Sequence, residues 1–385
     1  MNILVFNVGS TTLKYACVKV STGERLYEGL VDRIGQVGGD APDHLSAARC
    51  VLEQVGLLPG MQTPKDMPKL SAIAHRIVQG GDSYPTPAVV NAEVLAQLET
   101  LDTLAPLHNP SARSVVVAIH SLGVPLPQVL VFDTAYFSTL KPAAYRYAIP
   151  EPIYRAHRVR KYGFHGTSHR FVTQLAIERL EIESPARIIS LHLGGGASVT
   201  ASIDGAAVDT SMGMTPLEGL VMATRCGDID PSVPLHLIRS AGMSVNDVDR
   251  LLNKESGLVG LCGEADMRAI LSRREAGDCA AELAIDIYVR RIQKVIGGYI
   301  AILGGLDALI FTAGVGEHAV KIRELVTGPL AHLGIVIDPD ANESPPMRDS
   351  VAEISHPSAA VRTLVVATNE ELAIARESAQ LLMDA

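Results

Sequence analysis

Two arginines stand where a positive charge needs a partner. Arg76 interrupts the apolar run Ala74-His75-Arg76-Ile77-Val78 ahead of Gly80-Gly81, and Arg225 lies in Thr224-Arg225-Cys226-Gly227-Asp228-Ile229-Asp230. Each must meet an anion; for Arg225 the neighbouring carboxylates offer ordinary ion pairing as the alternative to a ligand. Asp133 closes the apolar run Val131-Phe132, where α/β sheets commonly place a metal-binding or catalytic carboxylate, a helix N-cap being the plain alternative. His165 and His169 are four residues apart in Tyr162-Gly163-Phe164-His165-Gly166-Thr167-Ser168-His169. That spacing suits a metal pair on a helix, but Gly, Thr and Ser are poor helix formers and no third ligand stands out. A loop histidine donating to a phosphate or oxyanion is the favoured reading.

Three glycine-bearing turns each follow an apolar run: Asn7 to Lys14, Gly194 to Ser198, and Thr312-Ala313-Gly314-Val315-Gly316-Glu317. Such turns can aim backbone N–H groups at phosphates, although singly each is more often a plain connection. The first carries three consecutive hydroxyl residues, Ser10-Thr11-Thr12, unusual for a hairpin turn. No Gly-Lys pair, H-E-x-x-H or G-x-S-x-G occurs, so P-loop, zincin and α/β-hydrolase chemistries fall away.

The elements that would position these groups follow from periodicity. Ile3 to Phe6 and Leu13 to Val20 read as a hairpin, and Ile188 to Leu193 with Val199 to Ile203 repeat the arrangement about half a chain later. The repeat points to two related halves. Asp43 to Val55 and Ala280 to Leu303 read as helices, and Ser71 to Ala74, Val129 to Phe132 and Ala308 to Phe311 as buried strands. Asn369 caps a terminal helix, expected to pack on the first half. The class is α/β.

At 385 residues the chain is long enough for two lobes, and 47% apolar against 19% charged residues excludes a disordered chain. A net charge of -9 gives no general basic surface for nucleic acid or anionic lipid, so an anionic ligand must be held by local Arg and Lys. The cysteines Cys17, Cys50, Cys226, Cys262 and Cys279 contain no C-x-x-C and read as reduced packing residues of a cytoplasmic protein. No signal peptide or spanning segment is apparent; the apolar run Val295 to Leu306 is too short to span a membrane.

Several blocks in one order resemble the acetokinase family, within the actin and sugar-kinase superfamily: Asn7-Val8-Gly9-Ser10 with Lys14, Phe132-Asp133-Thr134-Ala135, Tyr162 to His169, Asp209-Thr210-Ser211-Met212-Gly213 through Gly219, Arg225 with Gly227-Asp228-Ile229-Asp230-Pro231, Phe311-Thr312-Ala313-Gly314, and Thr368-Asn369-Glu370-Glu371. The resemblance spans nearly the whole chain. It implies two actin-like (ribonuclease H-like) lobes of duplicated core with a nucleotide cleft between them. The lobes would be 1–150, with the helix 370–385 packed back on it, and a nucleotide-binding lobe 151–369. It further implies reversible phosphoryl transfer from ATP to acetate, giving acetyl phosphate and ADP, in a cytoplasmic homodimer that uses Mg2+, with Mn2+ as an alternative ion.

By the same resemblance Arg76 holds the acetate carboxylate, Arg225 and His165 stabilise the transferring phosphoryl group, and Asp133 acts with Asn7 and Glu370 at the metal. Val78, Leu107, Phe164 and Pro216 face the acetate methyl. Nucleotide contacts fall to Lys14, His192, Gly194, Gly195, Gly196, Asp266, Met267, Arg268, Gly314, Val315, Gly316 and Glu317, with Ser10, Thr12 and His108 in support. The chain departs from the family pattern at Gly195 and His318, usually Asn, and at Gln79, usually His. Alternatives are a propionate or butyrate kinase of the same family, a pyrophosphate-linked variant, and a non-catalytic actin-like nucleotide switch.

Overall fold

The protein is described by a computed structural model covering residues 1–61, 64, 67–106 and 108–384. Leu107, expected in the acetate wall, lies outside the described residues. Two compact units emerge, Met1–Ser138 with Asn369–Ala385, and Thr139–Thr368. The chain changes unit before residue 150 because the connecting segment is bonded into the second unit: Thr139 Oγ1 donates to Ala207 O (2.8 Å), and Tyr147 Oη accepts from Met214 N (2.9 Å) and donates to Glu218.

In the first unit β1 (Asn2–Val8), β2 (Leu13–Lys19), β3 (Glu24–Val31), β4 (Ala72–Ile77), β5 (Ala88–Val89) and β6 (Gln128–Phe132) form one sheet in the order β3-β2-β1-β4-β6-β5. In the second unit β7 (Arg187–Leu193), β8 (Ala197–Ile203), β9 (Ala206–Thr210), β10 (Ala308–Thr312), β11 (Val351–Glu353) and β12 (Arg362–Val366) form the other, in the order β9-β8-β7-β10-β12-β11. Adding six to each strand number turns one order into the other, and the senses agree as well. An antiparallel meander is followed by parallel neighbours, β1-β4-β6 in one sheet and β7-β10-β12 in the other. The duplicated core expected from two similar hairpins is therefore present.

The parallel strands are buried and mostly apolar, with polar residues such as Arg76 and His192 near their carboxyl ends, because helices cover both faces of each sheet. Leu4, Phe6, Ile73 and Leu130 are buried with Val51 and Leu52 of the helix His44–Gln54, which Asp43 caps by accepting from Ser46 N. The terminal helix Glu370–Asp384 packs on β1, β4 and β6, whereas Gly166–Leu180 packs on β7 and β10. The helix Cys279–Leu303 buries Ile285, Ile292, Ile296 and Tyr299 along one stripe, starts on Asp278 and stops at Gly304, whose φ of 70° ends the helix without the steric penalty a Cβ would carry.

The cysteine expectation needs correction. All five are free thiols, but only Cys17 and Cys262 are buried, Cys226 is half-buried, and Cys50 and Cys279 are exposed on their helices. No helix among the described residues is long and apolar enough to cross a membrane.

Candidate active site

The carboxyl ends of β4 and β6 bring Arg76 and Asp133 together in the first unit. Parallel pairing sets Arg76 opposite Val131 and Ile77 opposite Phe132, so Asp133 emerges one step beyond the sheet beside the guanidinium. Arg76 donates from Nη2 to Asp133 Oδ2 at 2.6 Å and from Nε to Oδ1 at 3.1 Å. Its Nη1 reaches Asn7 Oδ1 on β1 at 3.2 Å and lies 3.6 Å from Glu370 at the head of the terminal helix. Asn7 Nδ2 closes the ring by donating to Glu370 Oε2 at 3.4 Å. Asp133 is 1% exposed, and its carboxylate accepts from Arg76. Burial opposes the Arg76 charge, but Asp133 and Glu370 outweigh it and hold the guanidinium protonated.

Arg76 faces two carboxylates here, Asp133 and Glu370. The cluster's remaining donors are hard oxygens, and no group of three or more His, Cys, Asp or Glu among the described residues closes a protein cage around a metal. Two carboxylates and an amide oxygen suit Mg2+, which takes hard oxygen ligands and needs only one or two carboxylates. On the neighbouring strand Lys14 is exposed and pairs across from Asn7, which puts both side chains on the same face of the sheet. In the turn before it Gly9 N donates to Thr12 O at 2.8 Å, with Ser10 and Thr11 at the bend. His108 is the N-cap residue of the helix Asn109–Ser121, whose Asn109 exchanges hydrogen bonds with the Gln79 backbone just beyond Val78.

The second unit assembles a different group. The turn Gly194–Gly196 joins β7 to β8, and a Cβ placed on Gly196 would lie 3.3 Å from His165 Nε2 and 3.4 Å from Arg225 Nη1. The three residues therefore converge on one spot where a side chain would intrude. Arg225 donates to Pro216 O at 3.0 Å and has no carboxylate partner among the described residues. Its acidic neighbours are engaged elsewhere, Asp228 with Arg291 and Gly219 N, and Asp230 with Ser232 N. The ion-pairing alternative for Arg225 thus fails, whereas Arg76 does have its internal anion. Burial pulls the Arg225 pKa down, the expected response of a desolvated cation without a counter-charge.

His165 adopts the left-handed conformation, φ 58° and ψ 26°, as the N-cap of the helix Gly166–Leu180. This geometry is unfavourable for a residue with a Cβ, and the surrounding packing holds it. Phe164 is 1% exposed beside it. The His165 ring stacks on His192 with centroids 4.1 Å apart. His192 Nδ1 in turn lies 2.8 Å from Ser168 Oγ.

β7 and β10 run parallel, with His192 opposite Thr312, so Gly194–Gly196 and the residues after Thr312 leave adjacent strand ends. The expected turn Thr312 to Glu317 is corrected to a short helix, Ala313–His318. The Glu317 carboxylate accepts from Ala313 N at 2.9 Å and Thr368 N at 3.1 Å, satisfying the helix start that made the glycines look like a loop. Gly314 and Gly195 are exposed and open, whereas Gly316 is buried against Phe311. Asp266 caps the helix Met267–Glu275 and pairs with Arg268 at 2.6 Å; Met267 is buried. No hydrogen bond or ion pair joins Asp266, Met267 or Arg268 to either glycine turn.

The loop reading of His169 is also corrected, since the helix begins at Gly166 and His169 lies within its first turns. Burial of Thr167, Ser168 and His169 against β7 outweighs their poor propensity. Sequence reasoning gave no role to Ser198, Ser190, Ser168 or Thr368. Ser190 on β7 and Ser198 on β8 read as ordinary strand residues, and only the fold shows that their hydroxyls and that of Ser168 face histidines, with Thr368 bonded to Ser168.

Two similarly ordered sheets with glycine turns at strand ends define a duplicated, actin-like core. The chain matches the Acetokinase family model over residues 2–376, and it belongs to that family. It is 45% identical over 403 residues to the acetate kinase of Streptomyces griseus, covering 99% of this chain and 96% of the other. Among solved structures, Porphyromonas gingivalis acetate kinase superposes with a TM-score of 0.90 at 39% identity, covering 99% of both chains. A propionate kinase from Francisella tularensis follows at 0.89 and 38%, covering 98% of both.

Proposed function

We propose that the protein catalyses reversible phosphoryl transfer between ATP and acetate, forming acetyl phosphate and ADP. The observation that most directly supports this is the meeting at Gly196 of His165 Nε2 and Arg225, which has no carboxylate partner among the described residues. Acetate is ionised at neutral pH, its pKa lying near the ~4 of carboxyl side chains, so the nucleophile needs no general base. The obstacle is bringing anions together, and the remedy is fixed positive charge and hydrogen-bond donors that act on the transferring group.

Arg76 takes the acetate carboxylate, exchanging part of its contact with Asp133 for the substrate. His165 and Arg225 donate to the equatorial oxygens of the phosphoryl group. Asp133 and Glu370, with Asn7 beside them, hold Mg2+, which when bound offsets phosphate charge. Val78, Phe164 and Pro216 face the methyl group. The backbone of Gly194–Gly196 and the start of Ala313–His318 receive the nucleotide, with His192, Asp266, Met267, Arg268 and Lys14 contributing side chains. A homodimeric assembly, a cytoplasmic location and a nucleotide-binding role for the second unit follow from the family resemblance.

The likeness to a propionate kinase favours one second reading, propionate as acceptor. One methylene in an apolar pocket changes specificity by only ~1–3 kcal/mol, so the two acids should differ in rate, not in kind. Acyl phosphate trapped with hydroxylamine, from protein with Mg2+, ATP and acetate, propionate or butyrate, tests both. Acetate should react fastest, and Asp133→Ala should be inactive. No acyl phosphate from any acid would overturn the proposal.

A further inference from the structure

The sequence spaces His165 and His169 like a metal pair, but the structure joins them through one hydroxyl. Ser198 Oγ lies 2.9 Å from His165 Nδ1 and 2.7 Å from His169 Nε2. On the other side of its ring His169 Nδ1 lies 2.7 Å from Ser190 Oγ. His169, Ser190 and Ser198 are at most 1% exposed.

A hydroxyl has one proton, so Ser198 donates to one of the two ring nitrogens and accepts from the other. Burial, reinforced by His192, pulls the His169 pKa well below the ordinary histidine value, leaving a neutral ring with one N–H. When that proton is on Nε2, His169 donates to Ser198, Ser198 donates to His165 Nδ1, and a neutral His165 must carry its own proton on Nε2. That nitrogen borders Gly196. In the opposite orientation His165 Nδ1 donates to Ser198, Ser198 to His169 Nε2, and His169 Nδ1 to Ser190. A neutral His165 would then turn a lone pair toward Gly196 and repel a phosphoryl oxygen.

Charged and titratable groups near His165 include Arg225 at Gly196, His192 stacked on its ring, and His169 through Ser198. In a neutral ring, the nitrogen that carries the one proton decides whether His165 offers a donor or a lone pair toward Gly196. We propose that His169 is a positioning residue which, through the Ser198 hydroxyl, holds neutral His165 as its Nε2–H tautomer with the donor facing the glycine turn. This rests on the reading of His165 as a phosphoryl-group donor, and it adds the device that orients the donor.

The test is nitrogen-15 NMR of the full-length protein labelled at histidine, with His165 assigned by signal loss in His165→Gln. At pH about 8, above the ordinary histidine range, His165 should show a protonated Nε2 and an unprotonated Nδ1. Ser198→Ala should mix the tautomers, while His169→Gln, whose amide can still donate to Ser198, should preserve the native pattern. Ser198→Ala should also lower kcat about tenfold or more at that pH with KM for acetate little changed. The deficit should shrink toward pH about 6, because a doubly protonated ring bears Nε2–H in any orientation. A protonated Nδ1 on neutral His165 in the native protein, or a kcat loss in Ser198→Ala that does not vary with pH, would overturn the proposal. The NMR result does not depend on turnover. An Nε2–H His165 in a protein that phosphorylates no acid would leave the tautomer assignment standing and remove the function proposed above.

Discussion

Arg76 grips Asp133 through two parallel hydrogen bonds, Nη2 to Oδ2 at 2.6 Å and Nε to Oδ1 at 3.1 Å, at the carboxyl ends of neighbouring parallel strands. The pair is a structural tie in the first unit. The arginine proposed to receive acetate already has an anion, and the carboxylate proposed to serve the metal already has a cation. Each is held in a fixed orientation before either ligand arrives, which lowers the cost of ordering the site.

Removing one member should damage both stability and activity. Leaving a buried charge without its partner costs roughly 3–5 kcal/mol, moderated here because Glu370 remains 3.6 Å from Arg76. Asp133→Ala should therefore lower the thermal midpoint and abolish acyl phosphate formation. The double variant Arg76→Ala/Asp133→Ala should be more stable than the sum of the single losses predicts, since it removes the orphaned charge. Thermal melts of the three variants decide this; strict additivity would mean the pair contributes no coupling.

Arg225 should behave in the opposite way. It is a desolvated cation with no carboxylate to lose, so Arg225→Met should leave the thermal midpoint unchanged or raised. The same substitution should reduce kcat/KM by about a hundredfold or more if the guanidinium stabilises the transferring group. Melting curves set beside steady-state kinetics check the two halves; a fall in both would make Arg225 a structural residue.

Gly196 should not tolerate a methyl group. A Cβ there would press on His165 Nε2 at 3.3 Å and Arg225 Nη1 at 3.4 Å, both side-chain atoms able to move by a few tenths of an ångström. Gly196→Ala should fold normally yet lose about tenfold or more in kcat through displaced donors. Gly195→Ala, where nothing lies within 4 Å, is the matched control and should retain most activity.

Stability should fall on mild acidification because of His75. Burial pulls its pKa from 6.5 to about 4, a Gln128 hydrogen bond opposing the shift only in part. Between those values the unfolded chain binds more protons at this residue than the native one. Unfolding free energy therefore declines as pH falls from 6.5 toward about 4, and His75 alone accounts for roughly 3 kcal/mol over the window. Buried His169 acts in the same direction. Urea midpoints measured from pH 7 to 5 should show this slope, and His75→Gln should flatten it.

Much of the site was legible because its signals are local. A carboxylate ending an apolar strand, an arginine inside one, and glycines following one mark Asp133, Arg76 and Gly194–Gly196 without reference to distant residues. The first two turned out bonded to each other, since parallel strands bring their ends together whatever separates them along the chain. The helix at Ala313–His318 was misread as a turn because its start is satisfied by the Glu317 carboxylate and a shared partner, Thr368. His169 was misread as loop because propensity is weak where packing is strong. The unit boundary fell early because Tyr147 binds Glu218 and Met214, contacts no composition shift announces.

By itself the sequence determined the α/β class, the two similar hairpins, the family and the residue types able to handle anions, since periodicity and short motifs are written in neighbouring positions. Only the tertiary structure decided that Arg76 is paired while Arg225 is not, that Asp228 answers Arg291, and that one serine hydroxyl stands between His165 and His169. Pairing, burial and proton placement depend on which distant groups arrive within about 3 Å, a distance set by packing and not by order along the chain.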